Sequence, residues 1–118
     1  MNYFEQRLAH ETDAADVAAE LGTDAYTLVD ARSRAAYDAT HLPGAIHVQD
    51  ELPDGPLVVY CWGPGCNGAT KACARLAAEG REVKEMLGGI EYWLREGHPV
   101  TGTRADRRAP DGLVGLVG

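Results

Sequence analysis

A chain of 118 residues that is 45% hydrophobic and 25% charged is long enough for one core and too short for two. Its formal charge of −7 argues against a nucleic-acid partner, since phosphate binding requires a basic face. No apolar run approaches the roughly 20 residues of a membrane span. The opening residues MNYFEQRLAHETD lack a basic start followed by an apolar block, so the expectation is a cytoplasmic protein without a secretory leader. Its three cysteines would then stay reduced, and their odd number also fits poorly with a disulfide framework.

In chain order, AHETDAADVAAELG reads as an Ala-rich amphipathic helix capped by Thr12 or Asp13 and stopped by Gly22, with Val17 and Leu21 on one side. AYTLVDA, residues 25–31, is β-prone and predicts a strand ending at Asp30. SRAAYDATH predicts a short helix capped by Ser33. LPGAIHV then turns at Pro43-Gly44 into a second short strand. After the polar connection DELPDG, the unbroken apolar run PLVVYC, residues 56–61, reads as a central parallel strand covered on both faces. GATKACARLAAEG predicts a second amphipathic helix closed by Gly80. EVKEML is a further strand, with Val83, Glu85 and Leu87 on one face and Lys84 and Met86 on the other. GGIEYWLREG is a last helix, with Trp93 as core and Tyr92 as rim. The remainder, residues 101–118, has no period and reads as a loose arm outside a domain of residues 1–100, although LVGLV could add an edge strand or cover an apolar patch. Alternating strands and helices define an α/β class with a mostly parallel sheet. In such sheets ligands bind beyond the carboxyl ends of the strands.

Cys61 sits at such an end. Gly63, Pro64, Gly65 and Gly68 allow the chain to curl with its amides inward as it enters a helix, which makes an anion-binding nest. The same dipoles stabilise a thiolate. A thiolate in a bowl of amides can attack a sulfur, phosphorus or acyl centre and hold the transferred group. The bland alternative is one more small buried core residue. Cys66 could resolve a Cys61 adduct as a disulfide, act as an alternative nucleophile, or fill the loop. The C-x4-C spacing is not that of a zinc knuckle and no second ligand pair follows, so no metal is expected. Cys73, inside the predicted helix, reads as packing.

Three separated stretches together resemble the rhodanese-like domain family of sulfurtransferases. LVDARSRAAYDATHLPGAIHV, residues 28–48, is similar to the family's N-terminal signature through Asp30, Arg32, Tyr37, His41, Pro43, Gly44 and Ala45. VVYC running into NGATKA matches its strand, cysteine, loop and helix. MLGGIEYWLREGHPV, residues 86–100, is similar to its C-terminal signature through Gly88, Gly89, Trp93, Gly97 and Pro99. The resemblance covers most of residues 12–100. It implies a three-layer fold, a central five-stranded parallel sheet with helices on both faces. It also implies Cys61 as the nucleophile of a ping-pong sulfur transfer that needs no cofactor. Cys61 would take sulfane sulfur from thiosulfate or a thiol persulfide, hold it as a persulfide among the amides of Trp62, Gly63, Pro64, Gly65, Cys66, Asn67 and Gly68 (Pro64 supplying shape but no N–H), and pass it to cyanide, a thiol or a protein cysteine. Asp30 and Arg32 are then read as an ion pair knitting strand to helix, and His41 as a residue that orients the Pro43-Gly44 loop.

The chain departs from the family pattern in two ways. Its loop is about two residues longer, and Asn67 stands six positions after Cys61 where related phosphatases place a phosphate-clamping Arg, which disfavours phosphatase chemistry. There is also no Lys or Arg from Ala35 through Thr70, and Lys71 is the first cation after the nucleophile. Weak use of the thiosulfate dianion is the expectation unless Arg32 or Arg34 reaches in. The competing readings are a non-catalytic docking or sulfur-relay module and a Cys61/Cys66 redox switch.

Overall fold

The structure, a computed structural model, describes residues 1–104. Its centre is the strand LVVY, residues Leu57–Tyr60 (β4), every residue of which is buried. Four further strands join it, all parallel: β1 (Glu11–Asp13), β2 (Thr27–Asp30), β3 (Ile46–His47) and β5 (Val83–Leu87), in the order β1-β5-β4-β2-β3. The five-stranded parallel sheet is the one the family resemblance implies. Period-two alternation distributes β4 between two cores. Val58 and Tyr60 face a cluster with Leu28, Met86, Ile90 and Trp93, whereas Leu57, Val59 and Cys61 face one with Val29, Ala69, Ala72 and Leu76.

The helices explain why both faces must be apolar. α2 (Ala14–Ala19) and α5 (Gly89–Arg95) cover the first face through Ala14, Val17, Ile90 and Trp93, while α4 (Gly68–Ala78) covers the second through Ala69, Ala72 and Leu76. Capping follows the sequence where a polar side chain was available. Asp13 accepts from the Asp16 amide to start α2, and Ser33 accepts from the Ala36 amide to start α3 (Arg34–Ala39). Trp93 is wholly buried and Tyr92 exposed.

Two elements were not foreseen. Tyr3–His10 form a helix, α1, opened by an Asn2–Glu5 capping box, and Glu11–Asp13 form the edge strand β1, where the sequence suggested only the approach to a helix. α1 buries none of its residues, so no core-facing period marks it, and β1 is three polar residues long. The segment after α5 returns to the body. Thr101 pairs antiparallel with His41, and the amides of Thr103 and Arg104 donate to the carbonyls of Asp38 and Ala39. The LVGLV stretch lies outside the described residues. No helix among those described is long and apolar enough to cross a membrane.

Candidate active site

β4 ends at Tyr60, and Cys61, the next residue, is 4% exposed with its side chain on the α4 face. Two contacts fix its position from below. The amides of Ile90 and Glu91, in the first turn of α5, donate to the carbonyls of Cys61 and Trp62 at 3.0 and 2.8 Å. This close approach explains Gly88-Gly89. Gly88 caps the helix at a positive φ of 85°, and a Cβ on Gly89 would lie 2.6 Å from the Cys61 carbonyl oxygen and the Gly63 nitrogen.

Beyond Trp62 the chain curls. The Cys66 amide donates to the Gly63 carbonyl at 3.0 Å, and the chain enters α4 at Gly68. The amides of Gly68, Ala69 and Thr70 have no acceptor within the helix, as at any helix start. Gly68 directs its N–H to the Cys66 sulfur at 3.4 Å. The two sulfurs of Cys61 and Cys66 are bonded to each other across a Cα separation of 6.5 Å. Only Cys73 is therefore a free thiol here, and the expectation of three reduced cysteines is corrected. The reason is the curl itself, which returns the chain over the end of β4 and places Cys66 above Cys61. Gly68 makes room, since a Cβ there would stand 2.9 Å from the Cys61 sulfur and 3.4 Å from that of Cys66.

The pair opens on a cleft of about 250 Å³ lined by Gly63, Pro64, Ala69, Met86, Leu87 and Gly88 along with the cysteines. Glu85 is its sole charged lining residue among those described, and it accepts from the Thr70 hydroxyl at 2.9 Å. Trp62 does not line the cleft. Its half-buried indole packs on both cores, with the Arg32 guanidinium 4.5 Å from its ring centroid. Asn67 is exposed and precedes α4 without a side-chain cap.

Neither candidate arginine supplies a free cation. Arg32 is buried and bonds both oxygens of Asp30, with Nη2 to Oδ2 at 2.8 Å, and further reaches the carbonyls of Ala36 and Thr40. Arg34 pairs with Asp50 at the surface. Two partners of the buried pair escaped sequence reasoning. The Tyr60 hydroxyl donates to Asp30 at 2.7 Å and accepts from the Leu42 amide, and His47 Nε2 lies 2.7 Å from the Arg32 carbonyl. Burial, reinforced by Asp30, holds the Tyr60 phenol well above its usual range. The signal available in the sequence was a Tyr and a His inside otherwise apolar strands. His41 stacks on Tyr37 with centroids 4.1 Å apart and bonds its carbonyl through Nδ1, away from the cleft lining. Cys73 is half-buried, and burial, with Glu85 nearby, pushes its thiol up to about 11.

A parallel five-stranded sheet with a strand-end cysteine in a glycine-rich loop is the architecture of the sulfurtransferase type. The profile of the rhodanese-like domain matches residues 13–96, and the chain belongs to that family. It is 38% identical over 95 residues to the HTH-type transcriptional regulator Rv0324 of Mycobacterium tuberculosis, a match covering 73% of this chain but only 40% of that protein. Among solved structures, BH2092 of Bacillus halodurans superposes with a TM-score of 0.82 at 38% identity, covering 89% of this chain and 85% of the other. The rhodanese-like domain of an Anabaena protein superposes with a TM-score of 0.71 at 27% identity, covering 85% and 83%.

Proposed function

We propose that the protein is a sulfurtransferase that carries sulfane sulfur as a persulfide on Cys61. The observation that carries this reading is the placement of Cys61, nine-tenths buried at the end of the central strand, yet lining an open cleft beside the amides that start α4. The released Cys61 thiolate attacks the outer sulfur of a thiol persulfide, the donor's S–S bond breaks, and the donor leaves as a thiolate. An acceptor such as cyanide then attacks the outer sulfur and returns Cys61 as thiolate. Sulfur is both nucleophile and leaving group, so no separate general base is needed.

The cleft favours a neutral or apolar donor over thiosulfate. Among the described residues, a dianion would meet the Glu85 carboxylate with backbone dipoles and no lining cation to offset it, because Arg32 and Arg34 are already paired. The match to part of a transcriptional regulator is compatible with a persulfide module that reports to a protein partner. A second reading, a Cys61/Cys66 redox switch, is favoured by the bond between these two sulfurs.

Intact mass decides the first reading. Reduced protein treated with glutathione persulfide gains one sulfur, cyanide removes it, and Cys61→Ser gains none. A full gain in Cys61→Ser would overturn the assignment.

A further inference from the structure

Cys66 sits where the outer sulfur of a Cys61 adduct would have to be dealt with. Its sulfur reaches that of Cys61 between the end of β4 and the start of α4, and the Cα separation of 6.5 Å lies within the span a disulfide bridges. Gly68 contributes twice, by leaving the space that both sulfurs occupy and by donating its amide to the Cys66 sulfur. The two sulfurs differ in access. Cys61 is buried, whereas Cys66 is only half-buried on the outer turn of the loop.

We infer that Cys66 is a resolving thiol, which makes the protein a reductive sulfide-releasing enzyme toward small thiol persulfides. The inference rests on the carrier reading of Cys61 and adds a second half-reaction to it. Once Cys61 holds the persulfide, the Cys66 thiolate attacks the inner sulfur, on Cys61. The bond from Cys61 to the outer sulfur breaks and hydrosulfide leaves through the cleft. The outer sulfur takes the electron pair and is reduced to sulfide, while the two cysteines are oxidised to the Cys61–Cys66 disulfide; the Cys66 proton goes to solvent. Hydrogen sulfide is more acidic than a cysteine thiol, so hydrosulfide is the better leaving group.

Return to the thiol state requires two electrons from a dithiol reductant, of the kind in which two neighbouring protein cysteines close to a disulfide. Its first thiolate attacks Cys66, the accessible sulfur, and expels the Cys61 thiolate back into the bowl ready for the next donor. The bonded pair seen here is the oxidised state in that cycle. Carrier and switch are then successive stages of one reaction.

Single-turnover loading tests this. Reduced wild type, Cys66→Ser, Cys66→Ala and Cys61→Ser each receive one equivalent of glutathione persulfide, and both released sulfide and intact mass are followed. Wild type should release about one sulfide per chain and finish two hydrogens lighter, while both Cys66 variants keep the added sulfur and release sulfide only when a dithiol is supplied. If wild type holds its persulfide as long as the Cys66 variants do, the resolving role is overturned and the carrier reading stands. If neither wild type nor the Cys66 variants gain sulfur and no sulfide appears, the carrier reading fails and this inference falls with it. The wild-type arm decides the matter even if a Cys66 variant does not fold.

Discussion

β2 and β4 are neighbours in the sheet, and their carboxyl ends were solved by opposite chemistry. β2 ends in Asp30, whose carboxylate is saturated by Arg32 and Tyr60 in a wholly buried network, while the residue after β4 is Cys61, surrounded by glycine, apolar side chains and backbone amides. Arg32, which stacks on the residue after the nucleophile, is therefore spent on structure. It holds the carbonyls that end α3 and covers Trp62, so a cation that could have met an anionic substrate instead fixes the frame around the loop. Proximity of a charge to a site does not make it part of the site's field when its partners are already bonded.

The contrast can be broken most severely at β2. Asp30→Ala leaves Arg32 charged and unpaired in the core and the Tyr60 hydroxyl without its acceptor, an expected loss of about 3–5 kcal/mol in urea unfolding. Replacing both partners, Asp30→Leu with Arg32→Met, should cost less than either single change, because no orphan charge remains. A double-mutant loss equal to the sum of the single ones would show that the pair matters for shape and not for charge. Next in size is Gly89→Ala. The added methyl meets the Cys61 carbonyl and the Gly63 nitrogen at 2.6 Å, and the backbone there has φ of +61°. A loss of about 1–3 kcal/mol should come with a larger fall in persulfide loading, read by intact mass.

At β4 the expected effects concern substrate more than stability. Glu85→Gln removes the cleft's carboxylate and should raise kcat/KM for thiosulfate several-fold, up to about tenfold, while leaving a neutral persulfide donor almost untouched. An equal gain for both donors would mean that the carboxylate acts by shape. The smallest effect belongs to Cys73. Its raised pKa keeps it protonated at neutral pH, with thiolate forming only as pH climbs toward 11. Its alkylation by iodoacetamide at pH 8 should be roughly a hundredfold slower than that of an exposed cysteine, and Cys73→Ala should load sulfur as wild type does.

The parts of the molecule visible in the sequence were those dictated by local physics. The apolar run of β4, the Ser33 cap, the turn at Pro43-Gly44 and the glycine pair before α5 each carry their own signal within a few residues. Cys61 was legible because a strand end and a glycine-rich curl are both local. The pairing with Cys66 was visible only as one alternative among several, since it depends on how a loop of unusual length folds back over the sheet, and the compartment reading pointed the other way. The network around Asp30 was half visible. Arg32 is two residues away, but Tyr60 and His47 reach it from other strands, and only sheet register brings them together. α1 and β1 were missed because an exposed helix and a three-residue polar edge strand draw their stability from contacts that no periodicity records.

The grip of Ile90 and Glu91 on the carbonyls of Cys61 and Trp62 separates two properties of the loop. One end is registered by α5 and the other by the start of α4, so residues 63–66 span a gap between fixed posts. Insertions and deletions in that span alter the reach and lining of the bowl while the sulfur that begins the chemistry stays where it is. Where a reaction starts is written into the sheet, and what it acts on is written into a four-residue span, so this scaffold can acquire a new substrate without being rebuilt.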